Sequence, residues 1–120
     1  MKTKSADFSD LQGKTIKSIY GLEKGSGNVV FVCSDGTTYK MFHYQDCCEC
    51  VEIEDVAGNV DDLIEAPIVL AYEATGGADG GTYTFYHLGS VKGYVCIRWL
   101  GTSNGYYSEK VDFEQVLEDE

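Results

Sequence analysis

Proline, long apolar runs and, over much of the chain, positive charge are scarce in this sequence. One Pro stands against fourteen Gly among the 120 residues, so the turns depend on glycine. No run approaches the roughly eighteen apolar residues that a membrane-spanning helix needs, and the stretch from Met1 to Asp7 lacks the apolar segment of a signal peptide. We therefore expect a protein that contacts no membrane and remains in the cytoplasm.

Positive charge is missing from Met41 to Val91, where ten Asp and Glu occur without a single Lys or Arg. The chain as a whole has twenty acidic and nine basic residues, which gives a net charge of −11. A field of this sign repels polyanions. It therefore argues against nucleic acid and anionic membrane as direct partners and favours a basic protein surface.

Two interpretations of this acidity stay open. The carboxylates can serve solubility and protect strand edges from pairing with other chains. Alternatively, they form a surface that imitates the phosphates of nucleic acid and occupies a basic groove on a partner. In the second interpretation, this acidic surface consists of Glu52, Glu54, Asp55, Asp61, Asp62 and Glu65.

Length and composition predict one mainly β domain. A chain of 120 residues divided into two domains would leave neither half enough interior, and the abundant Val, Ile, Thr, Tyr and Phe favour strands. Strand-like runs recur about every ten residues between glycine-rich turns, which predicts an antiparallel meander curled into a sandwich or a half-open barrel. We expect a flexible leader over residues 1–10, a single β-rich domain over 11–113 and an acidic tail over 114–120.

Local signals locate three connections in this domain. Asp35-Gly36 between two strand-like runs is a strong hairpin signal, and Asn104-Gly105 predicts a second hairpin whose return strand covers residues 106–111. Residues 59–65 are typical of one short helical turn, with Asn59 as its N-cap and acidic residues in its first turn.

A cysteine-rich stretch is the candidate for metal chemistry, with His43, Cys47, Cys48 and Cys50 within eight residues. A structural zinc site takes paired ligands from two separated positions, and here the second pair is missing. Adjacent cysteines also point to opposite sides of an extended chain. We therefore interpret at least one of these thiols as a small buried side chain and expect no metal, cofactor or disulfide. A metal- or thiol-dependent protein centred on His43, Cys47 and Cys48 is the alternative.

Enzymatic activity is not expected. The thiols have Asp46 and Glu49 as neighbours, and negative charge disfavours the reactive thiolate. Neither His43 nor His87 lies in a recognised catalytic signature. The residues that carry chemistry elsewhere are therefore interpreted here as structural.

Aromatic residues in the second half of the chain are interpreted as core residues and cross-strand pairs. A base-stacking platform would need Lys or Arg to hold the nucleic-acid backbone, and these are missing around them. Arg98 is an isolated cation within a strand, and we expect it to pair with one of the carboxylates. The aromatic residues are Tyr83, Phe85, Tyr86, Tyr94 and Trp99.

Three stretches carry recognisable sequence. They are HYQDCCE at residues 43–49, the acidic segment at 51–68, and residues 92–109, which contain IRW at 97–99 and SNGYYSE at 103–109. Together they resemble a family of small phage and prophage proteins of unknown function, over most of the chain. The resemblance implies a protein encoded by a bacteriophage or mobile element and present in the bacterial cytoplasm, and it implies no catalytic residues.

This setting suggests a function by analogy. Small, acidic, non-enzymatic phage proteins are often inhibitors of host nucleic-acid-binding machinery, including restriction and CRISPR systems. We therefore expect a binding protein whose acidic surface occupies a basic groove on a host or defence protein. A structural or assembly component of the phage is a further alternative, and the sequence leaves the oligomeric state open.

Overall fold

The computed structural model describes residues 2–78, 81–104 and 107–118. None of the described helices is long and apolar enough to cross a membrane. The elements, in chain order, are the strand β1 (Lys2–Ser5), the 3-10 helix η1 (Phe8–Leu11), the strands β2 (Ile16–Tyr20), β3 (Asn28–Cys33), β4 (Thr38–Phe42) and β5 (Cys50–Ala57), the 3-10 helix η2 (Val60–Leu63), and the strands β6 (Ile68–Ala78), β7 (Gly81–Ser90), β8 (Tyr94–Thr102) and β9 (Asp112–Glu118).

Two antiparallel sheets pack face to face as a sandwich, which confirms the predicted fold class and selects the sandwich over the half-open barrel. One sheet has the strand order β1-β9-β4-β3-β2 and the other has the order β5-β8-β7-β6. β2 to β4 and β6 to β8 are meanders, as predicted. β9 departs from the meander, because it follows β8 in the chain but pairs in the opposite sheet.

The core lies between the sheets because inward and outward side chains alternate along each strand. In β8, Val95, Ile97 and Trp99 are fully buried, and the residues between them reach solvent. The indole Nε1 of Trp99 donates a hydrogen bond of 3.2 Å to Met41 Sδ, which joins β8 to β4 of the other sheet. The interior is therefore continuous across both layers.

The first hairpin and the helical turn form as the sequence predicted. Asp35 Oδ1 accepts hydrogen bonds from the backbone N–H and the hydroxyl of Thr37, at 3.0 and 2.6 Å. Gly36 has a φ of +92°, a conformation that favours glycine. In η2, Asn59 Oδ1 caps the helix by accepting from Asp61 N–H at 3.0 Å.

The second predicted hairpin is wrong in its return strand. Residues 107–111 form no strand, and the next strand, β9, begins at Asp112. Residues 107–111 instead cross from one sheet to the other, and Val111 is buried on the way. Gly105 and Tyr106, which this prediction also includes, lie outside the described residues.

Both ends of the described chain also differ from the flexible leader and acidic tail that we expected. Residues 2–5 form β1, and Phe8 is only 2% exposed, with its ring centroid 4.7 Å from that of Tyr86. β9 pairs with β1 on one side and β4 on the other. This acidic sequence is therefore an interior strand of its sheet. Its apolar residue Phe113 packs in the core and holds the strand there.

The edges of the two sheets are unequally covered. The outer edge of β5 is hydrogen-bonded to the backbone of residues 25–26, and residues 64–67 form bridges to residues 15 and 16 at the start of β2. The remaining edge strand of that sheet, β1, is only four residues long. β6 has eleven residues, and its free edge is bonded only at Ile68, by residues 13 and 14. Among the described residues, no other backbone hydrogen bond reaches the edge of β6 that faces away from β7 over residues 69–78, which leaves a long strand edge open.

We predict that removing β9 abolishes the cooperative fold. Truncation after Val111 deletes Phe113, and loss of one such aromatic costs about 3–5 kcal/mol against a total stability of about 5–15 kcal/mol. Urea denaturation followed by circular dichroism measures the result. Truncation after Glu118 is the matched control and should leave the midpoint unchanged. A chain ending at Val111 that unfolds cooperatively at the full-length midpoint would contradict the assignment of β9.

Candidate functional site

The acidic surface begins on β5, three of whose outward side chains are carboxylates. Glu52 and Glu54 are two residues apart and alternate with the buried Val51 and Ile53. The pairing of β5 with β8 shifts register between Ile53 and Asp55, so Asp55 is exposed as well. β5 therefore holds three of the six predicted carboxylates at one edge of the sandwich.

Glu54 is neutralised by Arg98, which confirms that this cation pairs with a carboxylate. Arg98 Nε lies 2.6 Å from Glu54 Oε1, at an angle that does not make a hydrogen bond. The Arg98 guanidinium also lies 5.5 Å from the ring centre of Tyr83, whose hydroxyl contacts Glu54 Oε2 at 3.5 Å. This pair leaves Glu54 with little charge to offer a partner.

Asp61 and Asp62 lie together in η2, and Glu65 follows it. The hydroxyl of Ser90 donates to Asp62 O at 2.5 Å, which anchors the turn to the end of β7. Gly93 approaches so closely that a Cβ there would lie 2.3 Å from Asp62 Oδ2. The structure thus brings Asp61 and Asp62 together in one turn, on a different element from the β5 carboxylates.

Most of the acidic surface keeps its charge. Among the described residues, Glu54 is the one member of the six that forms an ion pair, and the other ion pairs lie elsewhere: Lys14 with Asp35, His43 with Glu49, and Lys110 with Asp112. Beside Glu52 and Glu54 is a shallow groove of about 320 Å³, lined also by Lys24 and Leu100. The surface can therefore exert negative potential on an approaching molecule.

The HYQDCCE motif is built around a buried carboxylate. Glu49 accepts hydrogen bonds from the backbone N–H groups of Asp46 and Cys47, at 2.7 and 2.9 Å, and contacts His43 Nε2 at 2.7 Å. The Gln45 side chain donates to Glu49 O at 2.6 Å and so closes the loop. Burial acts to raise the pKa of Glu49, but the hydrogen bonds outweigh it and lower the pKa to about 2.

His43 connects this loop to the crossing segment. Its Nδ1 lies 2.6 Å from Lys110 O and its Nε2 2.7 Å from the Glu49 carboxylate. Both partners are acceptors, so both ring nitrogens donate only when the imidazole is charged. Burial lowers the pKa of His43, yet these two hydrogen bonds and the Glu49 charge raise it above 6.5.

The predicted metal candidates are not arranged around one ion. Both ring nitrogens of His43 are engaged, and the described residues contain no group of three potential ligands. Cys47, Cys48 and Cys50 are all exposed, so the prediction that one of them is buried is wrong. A hydrogen bond with Cys47 raises the pKa of Cys48, and one with Glu52 raises that of Cys50. Raised pKa values disfavour the thiolate that metals and nucleophilic catalysis require.

A second carboxylate organises the SNGYYSE motif. Glu109 accepts from the hydroxyls of Ser103 and Thr82, at 2.6 and 2.8 Å, and these bonds lower its pKa. A hydrogen bond with Cys47 raises the pKa of Tyr107. The two motifs, far apart in sequence, therefore meet where the chain crosses between the sheets, and their polar residues hold that crossing in place.

The aromatic residues divide between the two faces of their sheet. Tyr86 and Trp99 are buried in the core, as predicted. Tyr83, Phe85 and Tyr94 lie on the outer face, where Tyr83 and Phe85 pack with ring centroids 6.0 Å apart. The expectation of core packing is thus met by Tyr86 and Trp99, and that of cross-strand packing by Tyr94 of β8, whose ring centroid lies 5.8 Å from that of His87 on β7.

Sequence reasoning missed that this outer face also contains Tyr72 and His87. Their rings stack with centroids 4.4 Å apart, and His87 Nδ1 is hydrogen-bonded to the hydroxyl of Tyr94. The signal was present in β7, where Tyr83, Phe85 and His87 recur with the period of two that places side chains on one face.

Comparison with known proteins gives a family and no activity. A family model described as a domain of unknown function (DUF7448) matches residues 9–113. No curated protein and no solved structure matches the chain.

We predict that His43 titrates above pH 6.5 and that Glu49→Gln lowers this pKa, because the variant removes the negative charge beside the ring. NMR titration of the imidazole carbon-bound protons measures it, with a His87→Gln variant to assign the signals. A His43 pKa at or below 6.5, or one unchanged in Glu49→Gln, would contradict the ion pair.

The same pair fixes a pH window for stability. Glu49 has a folded pKa of about 2 against an ordinary 4.5, so its contribution is present above pH 4.5 and lost as pH falls toward 2. His43 has a raised pKa, so its contribution is present below pH 6.5 and lost as pH rises through the folded value. The stability advantage of the natural chain over Glu49→Gln should be largest between these limits.

Proposed function

The chain belongs to this family, DUF7448, and we propose that it is a non-enzymatic binding protein that docks on a basic partner through its acidic surface. The partner we propose is a host or defence protein that binds nucleic acid. The chain would then act as an inhibitor, of the anti-restriction or anti-CRISPR type, encoded by a phage or prophage and present in the bacterial cytoplasm.

The observation that carries this proposal is the set of exposed carboxylates without an ion pair. Glu52, Asp55, Asp61 and Glu65 are exposed, and among the described residues none of them has a cation within ion-pair distance. Such uncompensated charge contributes nothing to folding and repels its neighbours. It is useful when a partner supplies the opposite charge, since complementary potential steers association and selects the partner.

The motifs support the same interpretation indirectly. Glu49 and Glu109 use their carboxylate oxygens within the fold, and His43 uses both ring nitrogens. The histidine of the candidate metal set, His43, is therefore engaged in holding loops together. Four exposed carboxylates without an ion pair among the described residues lie on or beside β5 and η2, and we propose that the partner docks there.

The double variant Glu52→Gln/Asp61→Asn should weaken partner binding. Each exposed charge contributes about 0.2–1 kcal/mol, so we expect roughly a two- to thirtyfold increase in Kd and a weaker dependence on salt. The basic partner is first recovered with tagged protein from nuclease-treated bacterial lysate. Its affinity is then measured by calorimetry at two salt concentrations.

The matched control is Ser9→Lys/Gln12→Lys, which changes the net charge by the same two units at exposed positions of the first helix region. It should bind more tightly than Glu52→Gln/Asp61→Asn. Equal effects of the two variants would mean that only net charge matters. Unchanged affinity in Glu52→Gln/Asp61→Asn would remove the acidic surface from the interface.

A second candidate function, a structural or assembly component, is favoured by the open edge of β6. This strand has one charged residue, Glu73, and exposes Val69, Leu70 and Tyr72. Covered or short edges elsewhere leave β6 as the strand on which a second copy can pair, antiparallel and about a two-fold axis. In this function, copies of the sandwich would assemble through pairing of their β6 strands.

Val69→Lys tests the assembly function, because a lysine on a strand edge opposes pairing. If the protein self-associates through β6, sedimentation equilibrium should show a dimer that this variant converts to monomer. Val91→Lys, at an exposed position between β7 and β8, is the control and should leave the dimer intact. A natural chain that remains monomeric at high concentration would exclude this candidate.

A further inference from the structure

The interior face of β6 and β7 changes character along its length. In β7 the inward series runs Leu88, Tyr86, Thr84, Thr82, from apolar to hydroxyl-bearing side chains. Opposite this series on β6, Glu73 faces Tyr86 and Thr75 faces Thr84. Burying these polar side chains in an apolar core would cost free energy, so the polar end of the face borders a cavity instead.

A cleft of about 800 Å³ lies at this polar end, between β6 and β7 on one side and β9 with residues 5–7 on the other. Its volume falls in the range of about 300–1,000 Å³ that is typical of small-molecule sites. The crossing segment closes one end, where Glu109 is fixed by Ser103 and Thr82. The cleft is separate from the carboxylates of the acidic surface.

Two largely buried side chains present their hydroxyls to the cleft, and among the described residues these hydroxyls have no hydrogen-bond partner. Tyr86 is 1% exposed and Thr84 is 5% exposed, both line the cleft, and among the described residues neither side chain makes a hydrogen bond. Buried polar groups are nearly always hydrogen-bonded. Burial, and then the charges of Glu73 and Asp112, raise the pKa of Tyr86, so its hydroxyl stays protonated and both donates and accepts. These groups are arranged for a ligand that carries polar atoms.

The charge of the lining selects the kind of ligand. The cleft has five carboxylate side chains and one cation, Lys110, which is largely exposed and 3.6 Å from Asp112. Both oxygens of Glu109 are already bonded within the protein. Glu73 forms no hydrogen bond or ion pair among the described residues and faces Tyr86 across the strand pair. Glu114 also lines the cleft and has its Oε1 buried without a hydrogen-bond partner, but Glu73 is the carboxylate paired across the strands with the hydroxyl-bearing Tyr86, so we assign the cation to Glu73.

We propose that this cleft binds a small organic cation with a primary ammonium group, which pairs with Glu73 and hydrogen-bonds to the hydroxyls of Tyr86 and Thr84. The ammonium supplies three donors, which suits acceptors on three neighbouring side chains. This site goes beyond the proposed function, because it uses none of the residues of the acidic surface.

The probe is putrescine, a diammonium of six non-hydrogen atoms, and 1,4-butanediol is its uncharged counterpart. NMR titration of the natural chain should show saturable shifts at residues 73, 84 and 86 with putrescine, with a Kd of about 1 mM or tighter. The diol should produce none. Glu73→Gln should weaken binding about tenfold or more, since hydrogen bonds to a charged group are among the strong ones.

Two further variants separate a site from general attraction to an acidic protein. Glu52→Gln removes the same charge outside the cleft and should leave the putrescine affinity unchanged, and Thr84→Val should weaken it without changing charge. Thermal unfolding confirms that each variant is folded. Equal weakening by Glu52→Gln and Glu73→Gln, shifts spread outside the cleft, or no saturation would overturn the proposal.

Discussion

After β8 the chain crosses to the other sheet, where β9 lies between β1 and β4. The rest of the structure depends on this crossing. The crossing segment, residues 107–111, forms no strand, so its backbone polar groups need partners outside the sheet ladders. His43 supplies one by bonding to Lys110 O, and Asp112 accepts from Tyr44 N–H at 3.1 Å. The HYQDCCE motif therefore holds the crossing segment and the start of β9 in place through these hydrogen bonds.

Carboxylates have two distinct roles in this acidic chain. Glu49 and Glu109 lie within loops, accept several hydrogen bonds each and have lowered pKa values. Their carboxylates are therefore engaged in contacts within the fold. Glu52 and Asp61 are exposed on separate elements without an ion pair among the described residues. Composition alone gives a net charge of −11. Only the structure separates the carboxylates that are hydrogen-bonded within the fold from those that are exposed without an ion pair among the described residues.

Sequence predicted what depends on near neighbours and missed what depends on distant ones. The Asp35-Gly36 hairpin, the Asn59 cap and the alternation of buried and exposed residues are local, and all of them formed. Even the pairing of Arg98 with a carboxylate followed from its isolation among acids. The contact of His43 with Lys110 spans 67 residues, and no short-range pattern encodes it. For the same reason β9 appeared as a tail, since its place is set by strands far away in the chain.

We propose that exposed carboxylates on β5 and η2 meet the partner while the motif carboxylates hold the fold. Hydrogen exchange of the free protein and of its complex with the recovered basic partner distinguishes these two roles. Complex formation should protect amides within residues 50–65 and leave residues 43–49 and 107–111 at their free-state rates. Protection confined to 43–49 and 107–111, with none in 50–65, would contradict it and would make the motifs the binding site.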